Sequence, residues 1–534
     1  MYYAYAAFAA LAGWDNILAV RLVALAFELG VLALVYSFGK RALSPRAGTI
    51  AVAANAYAIA FDLPPEDALA LNGELILLPL VVVGAALAAS AMAMNPGLTR
   101  RASMSFAAGA VLGAAACIKP TAALQPLPIF VWMAVAGLQV PTGTRSVARD
   151  ACFFTIGLLA FPLTFVTIAA RQGTLARMAY YCVTYNATVH LRPMGDATER
   201  YRSLGHLYDS PLFLISIALA AVVWVSIQRN RLSEARPHLR VRMGLARFGV
   251  VEYLWLQFLC AIAPAAFSPQ CFFHYFLIAI PFWGLLVGWT LDRTLRHPSL
   301  SPGVALIMTV IGTVGTCCAG SLAYAREKID GRVAHDAAVE MAAAYIARST
   351  LPTDRIFVWG FSPWLYEYSH RRPAGRYVFS TFVTGFVPWF WSGLSRESAR
   401  VAPHAMDDLI ADLDTERPAL VVDAGSVMIS RPLRAYAPMA EWLHRNYCFD
   451  ARVSAFDVYR RLAHKRAAET WSTDDSGAGP GCDPRMFPLP ASTVDYFGKL
   501  LDVPTPAVVD ADSSRPLSDG HYFGIQRFSD CLMR

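Results

Sequence analysis

The chain has 534 residues, of which 56% are hydrophobic and only 16% charged, and its 46 Lys and Arg against 39 Asp and Glu leave a formal net charge of +7. Soluble domains are about a quarter charged, so this composition excludes an ordinary soluble globule and indicates a polytopic membrane protein. The basic residues lie in short loops between apolar runs, where topology accounts for them, which removes nucleic acid as a partner. The ten cysteines form no CxxC motif and no Cys/His cluster at metal-ligand spacing, which removes a structural zinc site.

In chain order, the opening MYYAYAAFAALAGW offers about a dozen apolar residues, too few to cross ~30 Å of hydrocarbon. It lacks the basic start and small-residue cleavage site of a signal peptide. An interfacial helix is expected there, with a first span missing from this start. Apolar runs follow at 17–38, 48–61, 74–94, 103–119, 121–140, 151–170, 211–228, 248–267, 273–291 and 303–324, about ten spans in all. The stretch 103–140 is too long for one helix. Pro120, Pro126 and Pro128 break it, so it reads as a hairpin turning near Lys119 to Gln125 with both ends on one side.

Loop charges give an independent test of that count. Alternate loops carry Lys40, Arg41 and Arg46; Arg100 and Arg101; Arg145 and Arg149; Arg229 through Arg247; and Arg293 and Arg296. The positive-inside rule makes these cytoplasmic. The acidic loop 62–73, the Lys119 turn, the long loop 171–210, the short loop 268–270 and everything after Tyr324 then face outward. The first of these, within FDLPPEDALALNGELILLPL, carries Asp62, Glu66, Asp67 and Glu74 between two apolar segments. Carboxylates at a membrane surface are costly and mark chemistry or ion handling.

Past Tyr324 the character changes. Residues 326–348 read as a polar helical connector, RIFVWG and ALVVDA as short strands, 404–413 and 432–446 as helices, and SAFDVYRRL as a closing strand. Strands alternating with helices predict a small α/β domain with a largely parallel sheet. From about His464 the chain turns rich in Ser, Asp, Gly and Pro and reads as a loop-rich tail. The division is therefore a polytopic domain over 1–325, an extracytoplasmic α/β domain over 326–465 and a tail over 466–534. Outside the membrane a disulfide is permitted, most simply Cys482 with Cys531. No internal repeat is visible, which weighs against a transporter of two matched halves.

These segments carry a resemblance. YYAYAAFAALAGWDNILAVRLVALAFELG with GKRALSPRAG, LNGEL, CIKPTAAL, FFHYFLIAIP and the later RIFVWGFSPWLYEYSHRRPAGRYVFS with FDVYRR resemble the protein O-mannosyltransferase and aminoarabinose-transferase group of bacterial GT-C glycosyltransferases over most of residues 1–462. The resemblance implies an all-α polytopic membrane enzyme with a C-terminal α/β extracytoplasmic domain. Such an enzyme transfers a sugar from a polyprenyl-phosphate donor to a lipid, glycan or protein acceptor on the outer side of the cell (inner) membrane. The family's catalytic acid lies in a first outer loop that has no counterpart here; Asp15 does not match its position. No cofactor is assigned, and a divalent metal stays open.

The residues that would serve this chemistry are Glu74, Glu66 and Asp67 as catalytic carboxylates, Lys119 and Arg192 as donor-phosphate ligands, and His274 and Tyr275 as substrate-binding groups. Lys119 stands out, as a point charge before a proline at the outer end of an apolar hairpin. Each also has a purely structural reading. Glu74 is favoured by the dipole at a helix start, Lys119 by snorkelling to headgroups, His274 and Tyr275 by the interface belt, and Glu66, Asp67, Arg192 and Arg200 by solvation in loops. Arg21 and Glu28 share a helical face and are expected to pair structurally with other helices, and Trp359, Trp364 and Tyr366 to pack in a core rather than to stack on sugar. Two other functional classes remain beside the glycosyltransferase: a lipid-linked polysaccharide ligase or polymerase, and a non-enzymatic transporter or assembly protein.

Overall fold

The computed structural model describes residues 17–62, 72–94, 99–139, 144–185, 248–267, 273–296, 337–386, 400–425 and 431–462, with single residues at 187, 217, 218, 220, 221, 224, 225 and 397. The chain divides into two compact units, Met1–Val333 and Ala334–Arg534.

The first unit is helical throughout its described residues. Its longer helices are α1 (Ile17–Ala42), α2 (Pro45–Tyr57, continued by a π turn over Ala58–Asp62), α3 (Gly73–Met92), α4 (Thr99–Ile118), α5 (Leu127–Gln139), α6 (Thr144–Arg171), α7 (Val250–Phe267) and α8 (Ile280–Leu295), and a short helix over Leu175–Ala179 with a π turn over Tyr180–Thr184 falls within the stretch 171–210 expected to be a loop. A 3-10 turn over Pro120–Leu124 joins α4 to α5, and another over Phe273–Ile278 leads into α8. The hairpin thus turns where the prolines predicted, because Pro120 ends the hydrogen-bond ladder of α4 and pre-sets the first residue of the turn. Five stretches among the described residues are long and apolar enough to cross a membrane: Ala19–Ala42, Gly73–Met92, Thr99–Ile118, Pro120–Gly137 and Arg145–Arg171. They coincide with predicted spans. The predicted span 303–324, most of 211–228, the N-terminal helix and Asp15 lie outside the described residues.

Small residues set the closest helix approaches, as expected where the surrounding medium is as apolar as the side chains. Gly109 and Gly113 of α4 meet α6 directly: a Cβ on Gly109 would stand 2.1 Å from the carbonyl oxygen of Phe154, and one on Gly113 2.3 Å from that of Leu158. Gly284 and Gly288 of α8 do the same against α2, the latter 2.2 Å from the Ala47 carbonyl oxygen. Around these crossings Leu77, Val81, Leu112, Ile129, Phe154, Tyr253, Phe282 and Trp283 are buried in one continuous core. Ala24 of α1 packs with Leu75 and Ile76 of α3, with Ile118 at their edge.

Two ionic clamps sit where α3 ends and α4, α6 and α2 begin. Arg101 Nε lies 2.6 Å from Asp150 Oδ2, with both side chains almost fully buried, and Arg149 reaches the other oxygen at 3.1 Å. Ser44 donates to Asp292 at 2.8 Å, and Arg296 pairs with the same carboxylate at 2.8 Å. Both clamps involve the loops whose basic residues predict a cytoplasmic position.

The second unit is a five-stranded sheet with helices. Its elements are α9 (Ala337–Ser349), β1 (Arg355–Trp359), β2 (Arg372–Pro373), α10 (Ala405–Glu416), β3 (Leu420–Asp423), α11 (Ala437–Asn446), β4 (Tyr447–Val453) and β5 (Phe456–Arg461). The strand order is β2-β1-β3-β5-β4. The sheet is mixed, which corrects the largely parallel expectation: β1 runs parallel to β2 and β3, whereas β5 is antiparallel to β3 and β4. The reason is the two-residue connection at Ser454 and Ala455, with Ser454 at φ 55, since a tight hairpin admits only antiparallel pairing. Strand β4 follows α11 without a loop, so no turn signal announced it. Helix α9 is no mere connector either, because Val339, Ala342, Ala343 and Ile346 form a buried stripe against β1, β3 and β5. Buried Arg371 caps its C-terminal end by donating to the carbonyl oxygens of Ala347 and Thr350, each at 2.9 Å.

Candidate functional site

Four of the residues singled out in the sequence come together at one end of the first unit. Asn72 caps α3, its side-chain oxygen accepting the Leu75 N–H at 2.8 Å, so the capping duty that would have explained Glu74 is filled by its neighbour. Glu74, in the first turn of α3, is 1% exposed. Its carboxylate Oε1 pairs with the Lys119 ammonium, carried one residue beyond the end of α4. Helices α3 and α4 are antiparallel, which is what brings a residue at the start of one beside a residue past the end of the other.

Lys119 also lies over the ring of Tyr275, with its Nζ 4.4 Å from the centroid, a cation–π geometry that holds the charge without neutralising it. Tyr275 in turn meets His274 edge to face, the centroids 4.9 Å apart. The lysine side chain keeps 24% of its surface exposed. Snorkelling is therefore not its arrangement: the ammonium is held between a buried carboxylate and an aromatic face, and its remaining exposed surface is accessible to an incoming anion.

The carboxylate is not spent on the lysine. Glu74 Oε2 accepts no hydrogen bond from the described residues. Chemically the arrangement holds a cation for a phosphate, a second carboxylate oxygen for a hydroxyl proton, and a low-dielectric surround in which both act strongly. Among the described residues no group of three or more His, Cys, Asp or Glu is placed to hold a metal ion.

The other predicted site residues, Glu66, Asp67 and Arg192, lie outside the described residues, as do Arg200 and the Cys482 and Cys531 pairing. Of Asp62, only the backbone, at the end of the π turn after α2, is described. Glu28 of α1 is buried. In the second unit Trp359 is fully buried, with its ring N–H donating to the Arg431 carbonyl oxygen at 3.0 Å, and Tyr366 receives the Val358 N–H at 2.9 Å. Both are core residues, as expected. Cys448 is itself disulfide-bonded. Sequence reasoning passed over Gln125 and Gln257, buried amides that the structure sets together at 3.3 Å through the Gln125 carbonyl oxygen. Single glutamines in apolar runs gave no motif to find them by.

The class so far is a polytopic helical membrane protein with an α/β second unit and an ionic, aromatic-lined site at one end of its helices. No protein-family model matches the chain, and no curated protein matches it. Among solved structures it is similar to ArnT from Cupriavidus metallidurans bound to undecaprenyl phosphate, at 14% identity and TM-score 0.48 over 86% of each chain. The apo form of that protein matches at 16% identity and TM-score 0.48, over 85% of this chain and 86% of that one. The archaeal oligosaccharyltransferase AglB from Archaeoglobus fulgidus, in complex with an inhibitory peptide and a dolichol-phosphate, matches at 12% identity and TM-score 0.43, over 85% of this chain and 66% of that one. At such identities and TM-scores these likenesses carry no argument about activity.

Proposed function

We propose that this protein is an integral membrane glycosyltransferase that moves a sugar from a polyprenyl-phosphate donor to a lipid, glycan or protein acceptor on the extracytoplasmic side. The observation that carries this reading is the convergence of Glu74, Lys119 and Tyr275 at one end of the helices, the end that the loop charges assign to the outside.

The donor's hydrocarbon stays in the bilayer and its phosphate reaches the exposed part of Lys119. The ammonium then shares its charge between phosphate and Glu74, and the carboxylate is released to accept the proton of the acceptor hydroxyl. That oxygen forms the new bond to the anomeric carbon. The bond from this carbon to the phosphate oxygen breaks, its electron pair stays on the phosphate, and Lys119 stabilises the charge that develops there. In this scheme Glu66 and Asp67 are further catalytic carboxylates, Arg192 is a second donor-phosphate ligand, and His274 and Tyr275 bind substrate.

The test is transfer by the purified protein in lipid nanodiscs, with a panel of synthetic polyprenyl-phosphate monosaccharides labelled in the sugar. Glu74→Gln and Lys119→Ala are expected to lower release or transfer of label by about a hundredfold or more, the scale of a lost general base or charge stabiliser. Unchanged turnover in both variants refutes the assignment. A protein that turns over only pyrophosphate-linked oligosaccharides is a ligase or polymerase, and one that carries label across vesicles with no bond cleaved is a transporter.

A further inference from the structure

Inward of the Glu74–Lys119 pair lies a second set of buried polar groups whose hydrogen-bonding capacity the described residues do not use. Gln125 follows the 3-10 turn that begins after Lys119. Its side chain is 0% exposed, and among the described residues neither its amide nitrogen nor its amide oxygen has a partner. Gln257 of α7 is 1% exposed; its Nε2 donates to the Tyr253 hydroxyl at 2.8 Å and to the Gln125 carbonyl oxygen at 3.3 Å, while its Oε1 accepts nothing from the described residues. Tyr253 passes the chain on by donating to the Ala85 carbonyl oxygen on α3 at 3.1 Å. Asn72 Nδ2, Glu74 Oε2 and Thr121 Oγ1 are equally unmatched among the described residues.

Buried polar atoms are ordinarily hydrogen-bonded, and these come from three segments: Asn72 to Glu74 and Lys119 to Gln125, which carry the candidate site, and α7, whose Gln257 reaches the Gln125 carbonyl oxygen. Their chemistry is mixed. Asn72 Nδ2 and Gln125 Nε2 donate, Glu74 Oε2, Gln125 Oε1 and Gln257 Oε1 accept, and Thr121 does both. Hydrocarbon uses neither kind of group, phosphate oxygens only accept, and a cation has no use for amide N–H groups; water uses both kinds, and so do the hydroxyls of a sugar. A ring bearing several hydroxyls, each able to give and take a hydrogen bond, uses both kinds.

We propose that Gln125 and Gln257 bind the glycosyl ring of the lipid-linked donor through its hydroxyls, on the inward side of the Glu74–Lys119 pair, and so decide which sugar is accepted. This rests on the glycosyltransferase reading and adds to it the residues that read the sugar.

The experiment compares binding of two kinds of lipid to the full chain in nanodiscs: undecaprenyl phosphate alone, and undecaprenyl phosphate bearing a hexose, an aminohexose or a pentose. For the wild type at least one sugar lipid is expected to bind about tenfold or more tighter than the bare lipid. Gln125→Met is expected to reduce that preference to about twofold or less, with bare-lipid affinity unchanged. Because the Gln125 side chain makes no hydrogen bond to the described residues, the same variant is expected to melt no lower than wild type, which separates lost recognition from lost folding. Gln257→Met should act in the same direction, and Lys119→Ala should weaken both kinds of lipid alike. A preference retained in Gln125→Met, or no sugar lipid preferred by the wild type, overturns the sugar-reading role while leaving the phosphate site intact. Failure of the wild type to bind bare undecaprenyl phosphate overturns the glycosyltransferase reading itself, and this proposal with it.

Discussion

Lys119→Met isolates the physics of the site most cleanly. Glu74 is 1% exposed, and its counter-ion is the ammonium of a side chain only 24% exposed. Removing one partner of a buried pair leaves an uncompensated charge and costs about 3–5 kcal/mol. Because the lysine keeps part of its surface in contact with solvent, the lower end, about 3 kcal/mol, is expected here. Replacing both residues, as Glu74→Leu with Lys119→Met, removes the buried charge along with its partner and is expected to cost about 1 kcal/mol or less. The two single losses should therefore exceed the double loss by about 2 kcal/mol or more. Reversible unfolding by SDS titration in mixed micelles measures all four corners of this cycle. The double variant should be stable and still inactive in sugar transfer. Additivity to within about 0.5 kcal/mol would show that the two side chains do not interact, and the site as described would fall.

Three further outcomes follow from other parts of the molecule. Gly109→Val, whose Cβ would lie 2.1 Å from the Phe154 carbonyl oxygen, should abolish the folded peak in fluorescence-detected size-exclusion, while Gly30→Ala, with nothing within 4 Å, should leave it unchanged. Asp150→Ala strands the buried Arg101 guanidinium and is expected to cost about 3–5 kcal/mol in the same SDS titration, whereas Arg296→Ala, on an exposed partner of Asp292, should cost about 1 kcal/mol or less. In the second unit, burial raises the Asp423 carboxyl from 3.8 to about 6, against the two N–H bonds it accepts from Gly425 and Leu433. A carboxyl with a raised folded value adds stability that is complete below 3.8 and lost as pH rises through about 6. That amounts to about 3 kcal/mol at most. Hydrogen exchange at the Val421 and Val422 amides of β3, corrected for intrinsic rates, should therefore show greater protection at pH 4.5 than at pH 7.5. Asp423→Asn should flatten the slope, and an unchanged slope would remove Asp423 as its source.

Much of the helical unit was legible because its signals are local. The length of each apolar run, the prolines at 120, 126 and 128 and the alternation of basic loops all act within one helix or one turn, and the hairpin at Lys119 to Gln125 appears where they put it. The small sheet was half legible. RIFVW and LVVD read as strands from their β-branched and aromatic content, but β4, joined to α11 without a turn, did not, and with it the antiparallel half of the sheet was missed. Glu74 and Lys119 were each visible as costly charges at span ends, though their bond joins positions 45 apart and no local rule predicts it.

By itself the sequence marked the apolar runs and the few charges that stand at their ends, because hydrocarbon penalises polar groups, and charges most, and writes that penalty into composition. Only the tertiary structure decided that Lys119 is held between Glu74 and Tyr275, that Asn72 rather than Glu74 caps α3, and that the Gln257 amide reaches the Gln125 carbonyl oxygen. Those are matters of how antiparallel helices register against one another at glycine crossings. That register comes from the packing of many side chains at once, so no single stretch of chain contains it.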